Sequence, residues 1–133
     1  MESQDKISLA LPCKAEYVSA ARLTVSGIAS RIGLDIETVE DIKVAVSEVC
    51  NRIICAAGAP DRRYEIIFDI FADKLRITFT SDIENIGCIF ENDETGLGIS
   101  IINAFMDEVE FCPGNKDYIL SMTKNYEVVS RDG

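Results

Sequence analysis

The chain contains no histidine. That absence removes Ser-His-Asp and Cys-His nucleophilic catalysis, together with the common histidine-based metal sites. Any acid–base chemistry must come from carboxylates, lysine, tyrosine or cysteine. No C-x-x-C pair occurs among the five cysteines, Cys13, Cys50, Cys55, Cys88 and Cys112, and their number is odd. A disulfide framework and a structural zinc site are therefore not expected; free, mostly buried thiols are. No apolar run reaches the ~18 residues that suggest a membrane span. The opening MESQDKISLALPCK lacks the basic start and apolar core of a signal peptide. The expected location is the cytoplasm.

Basic residues are scarce. Thirteen Lys and Arg stand against 23 Asp and Glu, for a net charge of −10. Such a surface repels nucleic-acid phosphates and anionic membranes, so neither is an expected partner. It suits a protein partner with a basic face. Apolar residues make up 47% of the 133 positions, enough for one packed core. One domain is expected over residues 1–133, with a loose tail over 125–133 and no repeat or linker.

ISLAL (7–11) alternates as a half-buried strand does. A helix is expected over 15–32, with Val18, Ala21, Val25, Ile28, Ala29 and Ile32 spaced three or four apart and Gly33 suited to its C-cap. A second helix follows, N-capped by Asp35 or, one turn later, Thr38. Its buried stripe is Val39, Ile42, Val46, Val49 and Ile53, and Gly58 and Pro60 end it. YEIIFDIF (64–71), a tight turn at 72–74 and LRITFTS (75–81) form a hairpin. DIENIGCIFENDET (82–95) carries two isolated apolar patches among many acids, a loop or lid. GLG then opens a third helix, and VEFC (109–112) with YILSMTK (118–124) forms a last hairpin. The order β, α, α, β, β, loop, α, β, β predicts an α+β fold, a two-layer sandwich with helices on one face of a mainly antiparallel sheet.

Three features can carry chemistry. Gly96-Leu97-Gly98 before a helix allows a phosphate to approach the backbone and unpaired N–H groups; a lone G-x-G is equally a structural turn. It lacks the Lys-Ser/Thr ending of a Walker loop, and no strand directly precedes it as in a Rossmann motif. On the central helix, Asn51 falls about 60° to one side of Glu48, Arg52 about 40° to the other and Cys55 about 20° away. From helix geometry alone this is a solvated face with an i, i+4 ion pair between Glu48 and Arg52. Asp82 ends a strand, a place that holds ligand-binding and turn-forming Asp alike.

Taken in order, a helix carboxylate, a strand-end Asp, a loop and a G-x-G opening a helix resemble the GHKL ATP-binding fold. ARLTVSGIASRIG (21–33) and VEDIKVAVSEVC (39–50) are similar to the bacterial anti-sigma-factor serine kinases of the RsbW type, as are LPCKAEYV, GLGISIINAFMDEVEF and SMTK. The resemblance covers about residues 7–124. It implies a protein that holds a sigma factor inactive, and that uses ATP to phosphorylate a serine on a small antagonist protein. It also implies a dimer. Glu48 would be the catalytic base, Asp82 would bind adenine, and Gly96 and Gly98 would hold phosphates. Thr123 on the last strand would assist at the base.

This chain departs from that pattern. The position that holds a magnesium-binding Asn in the family is Arg52, and the family's His is Cys55. Asn51 is one residue early, turned by about 100°. Arg52 has donors only and cannot ligate magnesium. It can pair with ATP phosphates in place of the metal, or tie up Glu48. The family's Asp-x-Gly is here Asp82-Ile83-Glu84, with Ser81 the neighbouring candidate for the Asp. The lid between Asp82 and Gly96 is short and acidic. The reading is an anti-sigma regulatory factor acting by partner binding, with a degenerate ATP site, weak or no kinase activity and no assigned metal ligands. The competing reading is an active ATP-dependent serine/threonine kinase in which Arg52 or Asn51 replaces the usual Asn. A third is a different small ligand in the same pocket.

Overall fold

The computed structural model describes residues 4–82, 89–91, 94–111, 113 and 117–127. It places five strands and three α-helices in the order β1 (Asp5–Pro12), α1 (Val18–Arg31), α2 (Ile36–Ala57), β2 (Arg63–Ile70), β3 (Lys74–Ser81), α3 (Leu97–Phe105), β4 (Glu108–Phe111) and β5 (Leu120–Asn125). The sheet runs β1-β2-β3-β5-β4, and every neighbouring pair is antiparallel. The expected two-layer α+β arrangement is present, with the helices on one face.

Alternation decides which face. Tyr64, Ile66 and Phe68 of β2, Leu75, Ile77 and Phe79 of β3, and Leu120 and Met122 of β5 are buried. They meet Val25 and Ile28 of α1 and Ile42, Val46, Val49 and Ile53 of α2 in one core cluster. The five apolar residues expected on the central helix are all buried. On α1 the expected stripe is buried except Ile32, which is half-buried because it lies past the last helical turn.

The helix ends follow capping chemistry. The Asp35 carboxylate accepts from the Thr38 N–H at 2.8 Å, so Asp35, rather than Thr38, is the N-cap of α2. That bond holds the Asp35 carboxyl below its ordinary range. Gly58 ends α2 in the left-handed conformation. The first helix starts later than expected: residues 15–17 form a 3-10 turn before α1. The last two strands are also shifted by one or two residues, and Cys112 lies outside the described residues. The tail is attached further than expected. Asn125 closes β5, the Tyr126 N–H donates to the Asp73 carbonyl at 3.0 Å, and the Tyr126 hydroxyl donates to the Phe71 carbonyl. Among the described residues, no helix is long and apolar enough to cross a membrane.

Candidate functional site

Where the long helix α2 approaches the short helix α3, Glu48 and Arg52 of α2 and Phe90 of the preceding loop gather around one glycine of α3, Gly98. Glu48 and Arg52 are one turn apart on α2. The Arg52 Nε–H donates to Glu48 Oε1 at 3.1 Å, and the two side chains are 27% and 24% exposed for Arg52 and Glu48 respectively. The Arg52 guanidinium carbon also lies 5.5 Å from the centroid of the Phe90 ring, a cation–π contact. Phe90 is buried and packs edge-on against Phe111, with centroids 5.4 Å apart and planes at 81°. Pair, ring and β4 thus form one stack.

Gly98 closes the stack from α3. A Cβ at this position would lie 2.6 Å from Glu48 Oε1, 3.1 Å from Arg52 Nη2 and 3.2 Å from Phe90 Cε1. Only glycine lets the α3 backbone come this close. Gly96 has a different task. It is the N-cap of α3 at φ 69°, a left-handed conformation that other residues rarely adopt. The Leu97 N–H donates to Thr95 Oγ1 at 3.2 Å. The two glycines of G-x-G therefore serve separate needs, one conformational and one steric.

The remaining candidates are dispersed. Asn51 and Cys55 lie beside the pair on α2 with exposed side chains. Asp82 is exposed just beyond β3. Its charge adds to the upward push that burial gives the Cys13 thiol. Thr123 falls on the opposite face of the sheet. It is paired in register with Arg76 and Glu108 and lines a cavity with them, away from Glu48. Its expected role beside the base does not match this geometry, because Met122 and not Thr123 points at the helices. Residues 83–88 and 92–93, including Glu84 of the altered Asp-x-Gly, lie outside the described residues. Phe90 is the site residue that sequence reasoning left unassigned; its signal was an apolar patch inside an acidic loop.

A second buried cluster lies between α2 and the sheet. Cys50 is fully buried, and burial pushes its thiol up to about 11. Tyr64 is 2% exposed, and among the described residues its hydroxyl meets no hydrogen-bond partner of good geometry. Burial, then the neighbouring Cys50 thiol, pushes the Tyr64 phenol up. Cys13 and Cys50 are free and buried as expected, while Cys55 is free and exposed. Cys88 lies outside the described residues.

Arg52, which has donors only and cannot ligate magnesium, puts a permanent cation next to Glu48. A polyphosphate is matched in part: Arg52 offers charge-assisted donors, but the space against Gly98 is filled by Glu48, Arg52 and Phe90.

A helix carboxylate facing a glycine turn, beside a five-stranded antiparallel sheet with helices on one face, defines the GHKL ATPase-like class. Residues 11–124 match the histidine kinase-like ATPase domain family. The whole chain aligns with 94% of the serine-protein kinase RsbW of Bacillus cereus (strain G9842) and of Bacillus mycoides (strain KBAB4), at 34% identity in each case. The RsbW of Bacillus thuringiensis subsp. konkukian (strain 97-27) is 33% identical over the same share. The chain belongs to the RsbW-like family of histidine kinase-like ATPase domains.

Proposed function

We propose that this protein is an anti-sigma regulatory factor of the serine-protein-kinase type that acts by binding partners, with a nucleotide site too altered for efficient phosphoryl transfer. The partners are a sigma factor and an antagonist protein, the setting is the cytoplasm, and the working form is a homodimer. The observation that carries this reading is the Glu48–Arg52 ion pair at 3.1 Å, packed under Gly98 and Phe90. The carboxylate that would accept a serine proton is engaged by the residue that replaces the metal-holding Asn. Phosphoryl transfer depends on positioning and on neutralising charge, and here one arginine has to serve as neutraliser while bound to the base.

One observation favours the active-kinase reading instead. Glu48 lies against Gly98, so a nucleotide that displaced Phe90 and drew Arg52 to its phosphates would free the carboxylate. The serine hydroxyl would then lose its proton to Glu48 as its oxygen bonds to the γ-phosphorus and ADP departs.

Three measurements separate these readings. The protein is titrated with ATP, with and without magnesium, while the thermal midpoint is followed; ligand at 100 times its dissociation constant adds about 2.7 kcal/mol. Transfer of labelled γ-phosphate to an antagonist protein is measured in parallel. Capture of a sigma factor in the absence of nucleotide is the third. Capture with no transfer is the expected result. Stoichiometric transfer to a serine overturns the proposal, and failure to bind any sigma factor overturns its regulatory half.

A further inference from the structure

The face of the sheet that carries no helix holds a cavity of about 470 Å³, lined by residues including Arg76, Thr123, Ser121, Glu108, Glu110 and Tyr118. Drug-sized ligands occupy pockets of roughly 300–1,000 Å³. The register places its polar groups in order. Arg76 of β3 and Glu108 of β4 both pair with Thr123 of β5, so they flank it in one transverse row. Neighbouring strands are about 4.8 Å apart, which puts the backbones bearing the cation and the carboxylate roughly 10 Å apart. Ser121 and Glu110 pair directly in the next row.

Each of these groups is prepared for an outside partner. The Arg76 guanidinium is held over the Phe71 ring, 5.1 Å from its centroid. Asp69, its cross-strand neighbour, has its carboxylate 3.7 Å from Lys6. Among the described residues, Arg76 and Glu108 make no ion pair. Glu110 is oriented by the Tyr118 hydroxyl, which donates to it at 2.7 Å. Thr123 is 5% exposed and lines the cavity, and among the described residues its hydroxyl meets no hydrogen-bond partner. Its hydroxyl opens into the groove between the Arg76 cation and the Glu108 and Glu110 carboxylates, where a ligand carrying both complementary charges would meet all three.

We infer that this groove binds a small zwitterion of the amino-acid class. Its carboxylate lies on the Arg76 guanidinium, a planar donor suited to that group. Its ammonium lies against Glu108 and Glu110, and the Thr123 hydroxyl bridges the two ends. The site is separate from the Glu48–Arg52 pair, on the other face of the sheet, and does not depend on the nucleotide reading.

The test uses the full chain and each standard L-amino acid at millimolar concentration, with thermal midpoints and ¹⁵N–¹H amide shifts as readouts. At least one amino acid is expected to raise the midpoint and to move the amides of Arg76, Ser121, Thr123 and Glu108. Arg76→Gln and Glu108→Gln are each expected to weaken that binding about tenfold or more, as loss of one charge-assisted contact implies. ATP titration of the same variants keeps the two sites distinguishable. Should a variant fail to fold, the amide map on the unaltered protein decides alone. The inference is overturned if no amino acid binds, if the shifts map to α2 or α3, if binding survives both substitutions, or if the shifts report only self-association.

Discussion

The Glu48–Arg52 pair decides whether Arg52 is available to a nucleotide, and its strength can be worked out before it is measured. A helical i, i+4 pair with Glu on the N-terminal side contributes about 0.3–0.5 kcal/mol when fully exposed. Here both side chains are about one quarter exposed and 3.1 Å apart, so screening by water is weaker. Desolvation offsets part of that gain. The coupling should therefore fall at about 0.5–1.5 kcal/mol. The measurement is a double-mutant cycle of Glu48→Gln, Arg52→Gln and the double variant, followed by urea unfolding. The consequence for function is quantitative. If Arg52 must leave Glu48 to reach a phosphate, the pair weakens nucleotide binding by about two- to tenfold. Glu48→Gln should then tighten ATP binding by that factor, while Arg52→Gln weakens it. A coupling above about 3 kcal/mol would mean a lock rather than a latch. Unchanged ATP affinity in Glu48→Gln would refute the idea that Arg52 moves between the two anions.

Gly98→Ala should gain up to about 1 kcal/mol of helix propensity and lose the ion-pair coupling, because its Cβ would displace Glu48 and press on Phe90; net stability in urea should change by less than about 1 kcal/mol, while Gly98→Val should cost more than about 2 kcal/mol. Tyr64→Phe removes a buried hydroxyl without a good partner, so it should be neutral or stabilising by about 1 kcal/mol; a loss larger than that in urea unfolding would show that the hydroxyl is satisfied. Stability should fall at high pH: the folded Cys50 pKa of about 11 lies above its ordinary 9.0, so the contribution is full below about pH 8.5 and lost as pH rises through about 11, on the order of 2–3 kcal/mol. Cys50→Ala should reduce that slope without abolishing it, since Tyr64 and Cys13 are shifted in the same direction. Among the described cysteines, native labelling followed by peptide mapping should find Cys55 modified and Cys13 and Cys50 protected until unfolding.

The fold was legible where one periodicity dominated. α2 declared itself through Val39, Ile42, Val46, Val49 and Ile53, and its ends through Asp35 and Gly58, because a cap and a buried stripe act within a few residues. The hairpin of β2 and β3 was legible for the same reason: alternation and the intervening turn are local. The 3-10 turn ahead of α1 was not legible, since its residues satisfy a helical pattern while their backbone is set by the chain leaving β1. The attachment of Tyr126 was likewise hidden. It depends on the Phe71 and Asp73 carbonyls, fifty residues earlier in the chain, and nothing in the local sequence reports them.

The site was legible as a set of residues and not as an arrangement. Helix geometry placed Glu48 beside Arg52, and the glycine turn was read as a close-approach element. What the glycine approaches was not recoverable from spacing. Gly98 accommodates a carboxylate, a guanidinium and a ring, all of them from this chain. Thr123 shows the converse failure. A one-residue difference in strand phase separates the two faces of a sheet, so a residue next to the core-facing Met122 was assigned to the helix side when it opens on the other. Phe90 joins the two lessons. A phenylalanine among loop acids has no local reason to be there, and its reason is the cation it covers and Phe111, the ring it meets. The same contact bears on function. A nucleotide entering against Gly98 must displace an aromatic ring that is already packed on both sides, so entry is opposed by burial as well as by the ion pair. For that reason Phe90→Ala should lower stability and ease nucleotide entry together, whereas Glu48→Gln should ease entry with little loss of stability.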